Sequence, residues 1–217
     1  MCDGNRGYDL AILCGGAGHR MGGQDKGLLG LHPLERQVTF VEMLADRLRC
    51  PGIPDTSVII SANRNLDTYA RMQGIVVSDQ RPERVGPLGG IESIMAVVSG
   101  NRPLVIVPCD MPLLPAQLPR ELVGHMGSPD TIAVLHDGTQ RQPLCLALNP
   151  EHWRADLHDW LDSGGRSVHR WLEHKPVVEV RLPGVDAVQF ANINHPHDYA
   201  AVRGQPRHSD RFGILTG

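Results

Sequence analysis

The sequence predicts an α/β fold: a doubly wound, mostly parallel sheet with helices on both faces. Short apolar runs alternate along the chain with segments in which apolar residues recur at helical spacing. Glycine, proline and polar residues collect directly after the apolar runs. Alternation of this kind is typical of parallel strands that are covered by helices on both sides of the sheet.

In the first half of the chain, strands and helices follow each other in turn. The predicted strands are Tyr8–Leu13, Ser57–Ala62, Ile75–Ser78 and Pro103–Cys109. The predicted helices are Glu35–Arg49, Leu66–Met72 and Leu88–Ser99. The first helix would bury Val38, Val41, Leu44 and Leu48, and the third would bury Leu88, Ile91, Met95 and Val98. The fourth strand has Leu-Val-Ile-Val at its centre, which favours complete burial.

The second half is less regular. Its predicted strands are Thr131–Leu135, Pro143–Asn149, Val177–Val180 and Val188–Ile193, and its predicted helices are Glu151–Leu161 and Arg166–His174. The polar segment 136–140 would join the first two of these strands. Beyond Val202 the chain becomes polar and contains glycine and proline, so we expect one domain over residues 1–202 and a flexible tail over residues 203–217.

Composition narrows the class of protein. A chain of 217 residues with 41% hydrophobic residues can bury one substantial core, and 4% aromatics make that core mainly aliphatic. A net charge of −3 argues against a nucleic-acid binder that neutralises phosphates. No apolar run approaches the length of about 18 residues that a membrane span needs, so no membrane association is expected.

The five cysteines indicate a compartment. They are odd in number and form no Cys-x-x-Cys pair, and residues 1–7 lack the features of a secretion signal. We therefore expect free thiols in a reducing cytoplasm.

A glycine-rich loop directly follows the first predicted strand. Residues 13–27 contain six glycines, and Arg20 and Lys26 add positive charge. Glycine allows the backbone to approach a ligand closely, and exposed N–H groups beside fixed cations suit a polyphosphate. The alternative is a flexible linker, but the spacing of Arg20, Asp25 and Lys26 after a buried strand favours phosphate binding.

Two familiar phosphate motifs do not fit this loop. The dinucleotide fingerprint would need glycine where Met21 stands. The P-loop would need lysine directly after Gly23, where Gln24 stands instead. The loop is therefore of another kind.

Asp110 is the best candidate for a metal ligand. It lies between Pro108 and Pro112, directly after the most apolar predicted strand. Mg²⁺ is commonly held by one or two carboxylates together with substrate phosphates. The alternative is an aspartate that only caps a turn before Pro112.

Other polar groups also follow predicted strands: Asn63 and Arg64 the second, Asp79 the third, and the glycine-rich segment 86–90 before the next helix. The carboxyl ends of parallel strands meet at one edge, so these groups should converge there. Asp79 could recognise a base or ribose, or only start a turn. Asn63 and Arg64 could contact a nucleobase, or only cap the short helix.

Covalent catalysis has no support in the sequence. There is no Gly-x-Ser-x-Gly elbow, and no cysteine has a histidine partner in a motif. The eleven histidines include no His-x-x-x-His pair on a good helix, which favours hydrogen-bonding roles over metal binding.

Taken together, these motifs resemble those of the molybdenum cofactor guanylyltransferases, a family of MobA-like nucleotidyltransferases. The resemblance covers roughly Leu10 to Ala200. In the first half it rests on Leu13–Gly16, Arg20–Gly23, Asp25–Gly27, Ala62–Arg64, Asp79, Gly86–Gly90 and Pro108–Pro112. In the second half it rests on His136–Gly138, Gly165–Arg166 and Phe190–Asn194.

The resemblance implies a nucleotide-diphospho-sugar-transferase-like, Rossmann-type fold. It also implies transfer of GMP from GTP to the phosphate of the molybdopterin cofactor, with release of pyrophosphate and a requirement for Mg²⁺. The partners it implies are GTP and the molybdenum cofactor, and beyond these other cofactor-biosynthesis proteins and recipient molybdoenzymes or their chaperones.

Residue roles also follow from the resemblance. The residues expected to contact GTP are Leu13, Cys14, Gly15, Gly16, Lys26, Ser61, Asp79 and Asp110. Arg20, Lys26 and Asp110 would be catalytic, and Asp110 would hold Mg²⁺. Arg166, Asn192 and Asn194 would lie at the pterin. Three positions depart from the family pattern: Cys14 replaces a usual alanine, Ser61 a frequent asparagine, and Gln142 a frequent histidine.

Two other functions remain open at this stage. One is a related transferase that uses CTP or a sugar phosphate, which base selectivity would distinguish. The other is a carrier that binds nucleotide or cofactor without catalysis. The presence of both Lys26 and Asp110 favours an enzyme over a carrier.

Overall fold

The computed structural model describes residues 7–15, 24–30, 38–49, 56–83, 85–194 and 198. The strands are β1 (Asp9–Leu13), β2 (Val58–Ser61), β3 (Ile75–Val77), β4 (Leu104–Pro108), β5 (Ile132–His136), β6 (Arg141–Leu148) and β7 (Val177–Val180). The helices are α1 (Phe40–Leu48), α2 (Leu66–Tyr69), α3 (Pro87–Val97), α4 (Leu118–Gly124), α5 (Pro150–Asp162) and α6 (Val168–Glu173). Short 3₁₀ helices span Lys26–Leu28 and Ala187–Phe190.

The strands form one seven-stranded sheet in the order β3-β2-β1-β4-β6-β5-β7. Strand β1 pairs in parallel with β2 and β4, and β3 extends the parallel half. Strand β6 runs antiparallel to both β4 and β5, and β7 is parallel to β5. The predicted fold class, a doubly wound and mostly parallel sheet, is confirmed.

Each face of the sheet carries its own apolar layer. Leu10 and Ile12 of β1 face α1 and α4, where Leu44 and Leu122 complete one core. The alternate residues of β1 face the other layer, formed with α3, α5 and α6. That layer includes Ala11, Leu13, Leu88, Ile91, Trp153 and Trp171. Burial on both faces explains why the central strands are continuous apolar runs.

Helix α1 begins later than the sequence predicted. Thr39 is its N-cap: the Thr39 hydroxyl accepts a hydrogen bond from the backbone N–H of Glu42, and the Glu42 carboxylate accepts one from the backbone N–H of Thr39. This capping box satisfies N–H groups at the first turn and so fixes the helix start. The expected helical burial of Val38 is wrong, because Val38 precedes the cap and is 38% exposed. Residues 35–37 of the predicted helix lie outside the described residues.

Two further elements differ from the prediction. Helix α4 was not predicted, although Leu118 and Leu122 are completely buried. The strand predicted over Val188–Ile193 is wrong: Asp186 caps a 3₁₀ helix there, and irregular chain follows it. The domain boundary at residue 202 and the tail 203–217 lie outside the described residues, and stay predictions. Within the described part of the chain, no helix is long and apolar enough to cross a membrane.

Candidate active site

The polar groups predicted to converge follow adjacent strands at one edge of the sheet. Asp79 follows β3, Asn63 follows β2, Gly15 follows β1 and Asp110 follows β4, in the spatial order of those strands. Neighbouring strands lie about 4.8 Å apart, so these four strands span roughly 14 Å. The chain leaves β1 toward β2 on one side, and β4 flanks it on the other. Open α/β sheets bind ligands at such a switch point.

Lys26, Asp110 and Asn194 form the centre of this edge. The Lys26 ammonium donates to Asp110 Oδ2 at 3.0 Å and to Asn194 Oδ1 at 2.6 Å. The Lys26 and Asp110 side chains are 20% and 22% exposed, so a ligand from solvent can reach both. The backbone N–H of Ile193 donates to the Asp110 carbonyl at 2.7 Å and fixes the C-terminal segment beside β4. A cation and an anion are thus held together at the sheet edge.

A buried carboxylate, Asp25, orients the turn that carries Lys26. Asp25 Oδ1 accepts hydrogen bonds from the Tyr69 hydroxyl at 2.8 Å and the Gly27 N–H at 3.2 Å, while Oδ2 accepts from Asn65 Nδ2 at 2.9 Å. Arg64 Nε lies 3.7 Å from Oδ2. Burial, together with the neighbouring anionic groups, raises the pKa of Tyr69, so its hydroxyl stays a donor. The partners come from the loop after β2 and from α2, so the contacts of Asp25 join this region to the loop after β1.

Gly27 fits this turn only because it lacks a side chain. A Cβ at this position would lie 2.4 Å from the Tyr69 hydroxyl, 3.0 Å from Val41 and 3.1 Å from Cys14 Sγ. The glycine therefore lets the lysine turn pack directly on α1 and α2. Lys26 gains a fixed backbone position from this close packing.

The residues at the end of β1 are held within the sheet. Leu13 and Cys14 are 7% and 6% exposed; the Cys14 N–H donates to the Ser61 carbonyl at 2.8 Å, and the Leu13 carbonyl accepts from the Cys109 N–H at 3.0 Å. Gly15 is exposed, and a Cβ on it would lie 3.9 Å from Asn63 Nδ2. Ser61 is 1% exposed and packs against α3, where its Oγ would lie 2.6 Å from a Cβ at Gly90. Gly16 and Arg20 lie outside the described residues.

Asn63 and Asp79 are joined by two hydrogen bonds. Asn63 Nδ2 donates to Asp79 Oδ2 at 2.8 Å, and the Asp79 backbone N–H donates to Asn63 Oδ1 at 2.9 Å. The helix-capping alternative does not apply to Asn63 or Arg64, because Asn65 is the N-cap of α2 and has a left-handed φ of 54°. Arg64 instead donates to the Gln24 carbonyl at 3.0 Å. The pair Asn63–Asp79 thus presents an amide and a carboxylate beside the loop of β1.

The carboxylate of Asp110 suits a Mg²⁺ ion that is shared with a substrate. Among the described residues there is no cluster of three metal-ligating side chains. A ligand set of one carboxylate, phosphate oxygens and water does not need such a cluster. Asp110 is accessible and already faces one cation, the Lys26 ammonium. The residues present therefore fit a magnesium–nucleotide complex better than a metal cage made by the protein alone.

Cys109 and Cys145 are poor nucleophiles. A hydrogen bond shared with Cys14 and complete burial raise the pKa of Cys109, and burial raises that of Cys145. Both groups therefore stay thiols near neutral pH. Cys14, Cys109 and Cys145 are free. The chemistry of this edge is therefore that of positioned charges.

The three residues expected at the pterin separate into two places. Asn192 and Asn194 lie in the segment joined to Asp110, and Asn194 contacts Lys26 directly. Arg166 precedes α6, donates to the carbonyls of Leu161 and Gly165, and lies 3.8 Å from a Glu83 carboxylate oxygen. These contacts belong to the α5–α6 connection and to the loop after β3. Gln142, the third departure from the family pattern, donates to Asp137 Oδ2 at 2.6 Å.

Sequence reasoning missed several residues that support the site. Tyr69 and Asn65 hold Asp25, and Arg81 forms ion pairs beside Asp79. Asn65 before a short helix is a familiar capping pattern, but its side chain bonds Asp25 instead. No short motif marks Tyr69 or Arg81, because their partners are distant in sequence.

Comparison with known proteins identifies the family of this chain. Residues 10–177 match the MobA-like NTP transferase domain. A molybdenum cofactor guanylyltransferase from Ectopseudomonas mendocina (strain ymp) is 38% identical over 192 residues, which cover 88% of this chain and 90% of the relative.

Solved structures share the fold. Molybdopterin-guanine dinucleotide biosynthesis protein A from Archaeoglobus fulgidus superposes with a TM-score of 0.70 at 18% identity, covering 90% of this chain and 97% of that one. The 2-C-methyl-D-erythritol 4-phosphate cytidylyltransferase from Thermus thermophilus superposes with a TM-score of 0.63 at 10% identity, covering 89% and 96%. The fold therefore serves more than one nucleotide. The family match extends through both halves of the sheet and includes Lys26 and Asp110, and on this basis the chain belongs to the MobA-like NTP transferase family.

Proposed function

We propose that the protein transfers GMP from GTP to the phosphate of the molybdopterin cofactor and releases pyrophosphate. The observation that carries this proposal is the cluster of Lys26, Asp110 and Asn194 at the switch point of the sheet. It agrees with the activity for which the 38%-identical relative is named. The cluster supplies what attack of one phosphate on another requires: a fixed cation, a carboxylate for a metal, and polar groups between two substrates.

The reaction needs charge compensation and alignment rather than a protein nucleophile. The acceptor phosphate is itself an anion, and it would attack the α-phosphate of GTP in line with the departing pyrophosphate. Lys26 would move its contact from Asp110 to phosphate oxygens when the nucleotide binds, which offsets the charge of the leaving group. Asp110 would then hold Mg²⁺, which supplies Lewis-acid stabilisation of the phosphate oxygens. Arg20 would add a second cation from the same loop.

The nucleotide would lie along the sheet edge. Its phosphates would lie where the chain leaves β1, at Leu13, Cys14, Gly15 and Gly16, and its nucleoside end at Asn63 and Asp79. The Asp79 carboxylate can accept hydrogen bonds from donor groups of a base or a ribose. Ser61 would affect the nucleotide only indirectly, through the residues that cover it, because its side chain is buried and faces α3.

The acceptor would occupy the other side of Asp110. Asn194 accepts a hydrogen bond from Lys26. A residue expected to bind the pterin is therefore in direct contact with the lysine expected to bind the nucleotide phosphates. We therefore propose that Asn192 and Asn194 place the acceptor phosphate near the α-phosphate. Arg166 would take part only through the loop that contains Glu83 or through an extended ligand.

Related activities are less well supported. A cytidylyltransferase shares the fold at 10% identity, whereas a guanylyltransferase is 38% identical over 88% of the chain. A carrier without catalysis would not need Lys26 and Asp110 in contact. A cytoplasmic location is part of the proposal, supported by the free thiols of Cys14, Cys109 and Cys145. Other cofactor-biosynthesis proteins or recipient molybdoenzymes would be its protein partners.

Pyrophosphate release tests the proposed reaction. GTP, CTP and ATP are each supplied with Mg²⁺ and molybdenum-loaded pterin cofactor, and Asp110→Ala is the control. Release with GTP alone, lost in the folded Asp110→Ala variant, is the expected result. Release with CTP would assign the chain to the cytidylyl reaction, and nucleotide binding without release would favour a carrier.

A further inference from the structure

The loop after β3 is attached to the rest of the domain on both sides of Asp79. On the N-terminal side of Asp79, the Ser78 hydroxyl donates to the Ala62 carbonyl at 2.9 Å. After it, the Gln80 backbone N–H donates to the hydroxyl of Ser93 on α3 at 3.3 Å. Asp79 is therefore carried by a short segment whose neighbours are both anchored.

Arg81 forms the strongest of these attachments. Its Nε and one Nη donate to the two carboxylate oxygens of Glu92 on α3, each at 2.7 Å, and its other Nη donates to Asp162 at the end of α5, also at 2.7 Å. The Arg81 and Glu92 side chains are only 19% and 16% exposed. A two-point arginine–carboxylate pair fixes orientation as well as distance, and shelter from solvent reduces its screening.

The charges of this cluster persist at neutral pH. Hydrogen bonds from Arg81 lower the pKa of Glu92 and of Asp162, and contact with these carboxylates raises the pKa of Arg81. His158 Nδ1 also lies 2.9 Å from Glu92. The loop after β3 is therefore joined to two helices by ionised groups.

The helix that holds Arg81 also lies beside Asp79. A Cβ at Gly89, in the first turn of α3, would lie 3.4 Å from the Asp79 carboxylate. Glu92 follows Gly89 by three residues and so lies about one turn further along α3. Any shift of the loop relative to α3 would therefore move the Asp79 carboxylate. The hydrogen bonds between Asp79 and Asn63 would not be enough to prevent this movement.

We propose that Arg81 is a positioning residue for nucleotide recognition: its paired hydrogen bonds to Glu92 hold the loop against α3 and so fix the Asp79 carboxylate at the nucleoside end of the ligand. The inference rests on the proposed function in one respect, namely that the nucleoside end of a nucleotide lies at Asp79. Arg81 itself does not need to touch the nucleotide.

Direct binding measurements separate this role from catalysis. Wild type, Arg81→Lys and Arg81→Gln are titrated by calorimetry with Mg–GTP, and with Mg–tripolyphosphate as a probe for the phosphate positions alone. Arg81→Gln is expected to weaken GTP binding about 10-fold while tripolyphosphate binding stays within about 2-fold of wild type. The GTP affinity of Arg81→Lys is expected to lie between those of wild type and Arg81→Gln, because an ammonium keeps the charge but lacks the planar, two-point geometry of the guanidinium. In turnover, the loss should appear in the KM for GTP rather than in kcat.

Lys175→Gln is the matched control. Lys175 forms an ion pair of 2.5 Å with Asp156 and is 16% exposed, but it precedes β7 and so lies at the opposite edge of the sheet. This variant should lose thermal stability to a similar degree as Arg81→Gln without a change in GTP affinity. Wild-type GTP affinity in Arg81→Gln would overturn the proposal. So would an equal loss of GTP and tripolyphosphate binding.

The two proposals can fail separately. If wild type binds GTP but releases no pyrophosphate with the cofactor, the transfer reaction fails and the titrations still decide the role of Arg81. If wild type prefers CTP or ATP, the same titrations are made with that nucleotide. If wild type binds none of the three, both proposals are wrong.

Discussion

The ammonium of Lys26 lies 3.0 Å from Oδ2 of Asp110, although 84 residues separate them in the sequence. This contact joins the loop after β1 to the end of β4, the two adjacent strands at the switch point of the sheet. Each group neutralises the other in the absence of ligand. A bound magnesium–nucleotide complex would give each group a new partner: phosphate for the Lys26 ammonium and Mg²⁺ for the Asp110 carboxylate. In the proposed function, the pair would exchange its internal ion pair for contacts with phosphate and Mg²⁺.

Replacement of Lys26 should reduce turnover more than it reduces stability. We expect Lys26→Gln to lower kcat for GTP by about 100-fold or more, the scale of one group that stabilises developing charge. GTP affinity should also fall, since Lys26 would contact phosphate in the ground state. Steady-state pyrophosphate release and a thermal melt would measure both effects. A folded variant with near-normal turnover would contradict this role.

Replacement of Asp110 should change the response to metal. Asp110→Ala is expected to lower the rate by at least about 100-fold, as for loss of a charge-stabilising group. In the same variant, the Mg²⁺ concentration for half-maximal rate should rise, because the phosphates alone would hold the ion. Rates measured across a Mg²⁺ titration check this expectation. An unchanged Mg²⁺ dependence would mean that the carboxylate only pairs with Lys26.

The sequence predicted all seven strands of the sheet and the convergence of polar groups after β1 to β4. The runs that became β1, β2 and β4 are buried on both faces, so their apolar residues alone mark them, and parallel strands bring Lys26 and Asp110 to one edge. The run that became β3 lies at the side of the sheet, where Ile75 is 49% exposed. The segment after β7 was less predictable, although β7 itself was predicted with its observed bounds. There the segment 187–190 contains apolar residues at a spacing that suits a strand, but Asp186 caps a 3₁₀ helix instead.

Contacts between distant residues could not be read from local patterns. Asn194 lies 168 residues from Lys26, and the resemblance assigned the two residues to different substrates. Tyr69 lies 44 residues from Asp25, and its hydroxyl bond follows only once α2 is placed beside the lysine turn. Periodicity describes which face of an element is apolar. It carries no information on which loop residue accepts a given hydrogen bond.

The close packing at Gly27 predicts a position-specific loss of stability. Gly27→Ala would place a methyl group 2.4 Å from the Tyr69 hydroxyl, so the bond from Tyr69 to Asp25 must shift. We expect the free energy of unfolding to fall by about 1–3 kcal/mol, as for overpacking in a buried site. Urea denaturation measures the change.

Gly124→Ala is the control for that change. Gly124 ends α4, and no atom outside its chain neighbours and the nearby backbone of its own helix lies within 4 Å of a Cβ added there. Its replacement should be neutral or stabilising by up to about 1 kcal/mol, the difference between glycine and alanine in a helix. Equal effects of the two substitutions would show that the glycine turn around Lys26 has no special packing requirement.

The stability of the protein at acidic pH should depend on the ion pair between Arg81 and Glu92. Hydrogen bonds from Arg81 hold the pKa of Glu92 below its ordinary value, so the folded protein binds fewer protons at this site than the unfolded chain does. The pair therefore contributes stability above about pH 4.3, the ordinary pKa of glutamate, and this contribution is lost as pH falls through the lowered value. Glu92→Gln should be less stable than wild type at pH 7, and the difference should shrink as pH falls below about 4.

The neighbours of Glu92 set the conditions of that measurement. His158 and Asp162 face the same pair, and protonation of Asp162 at low pH also weakens its bond to Arg81. Urea midpoints of wild type and Glu92→Gln between pH 7 and pH 3 therefore need a second carboxylate for comparison. Glu179 pairs with Arg141 but is 38% exposed, so Glu179→Gln should change the midpoint less at every pH. If the Glu92→Gln difference stayed constant down to pH 3, the ion pair with Arg81 would not be the source of the stability.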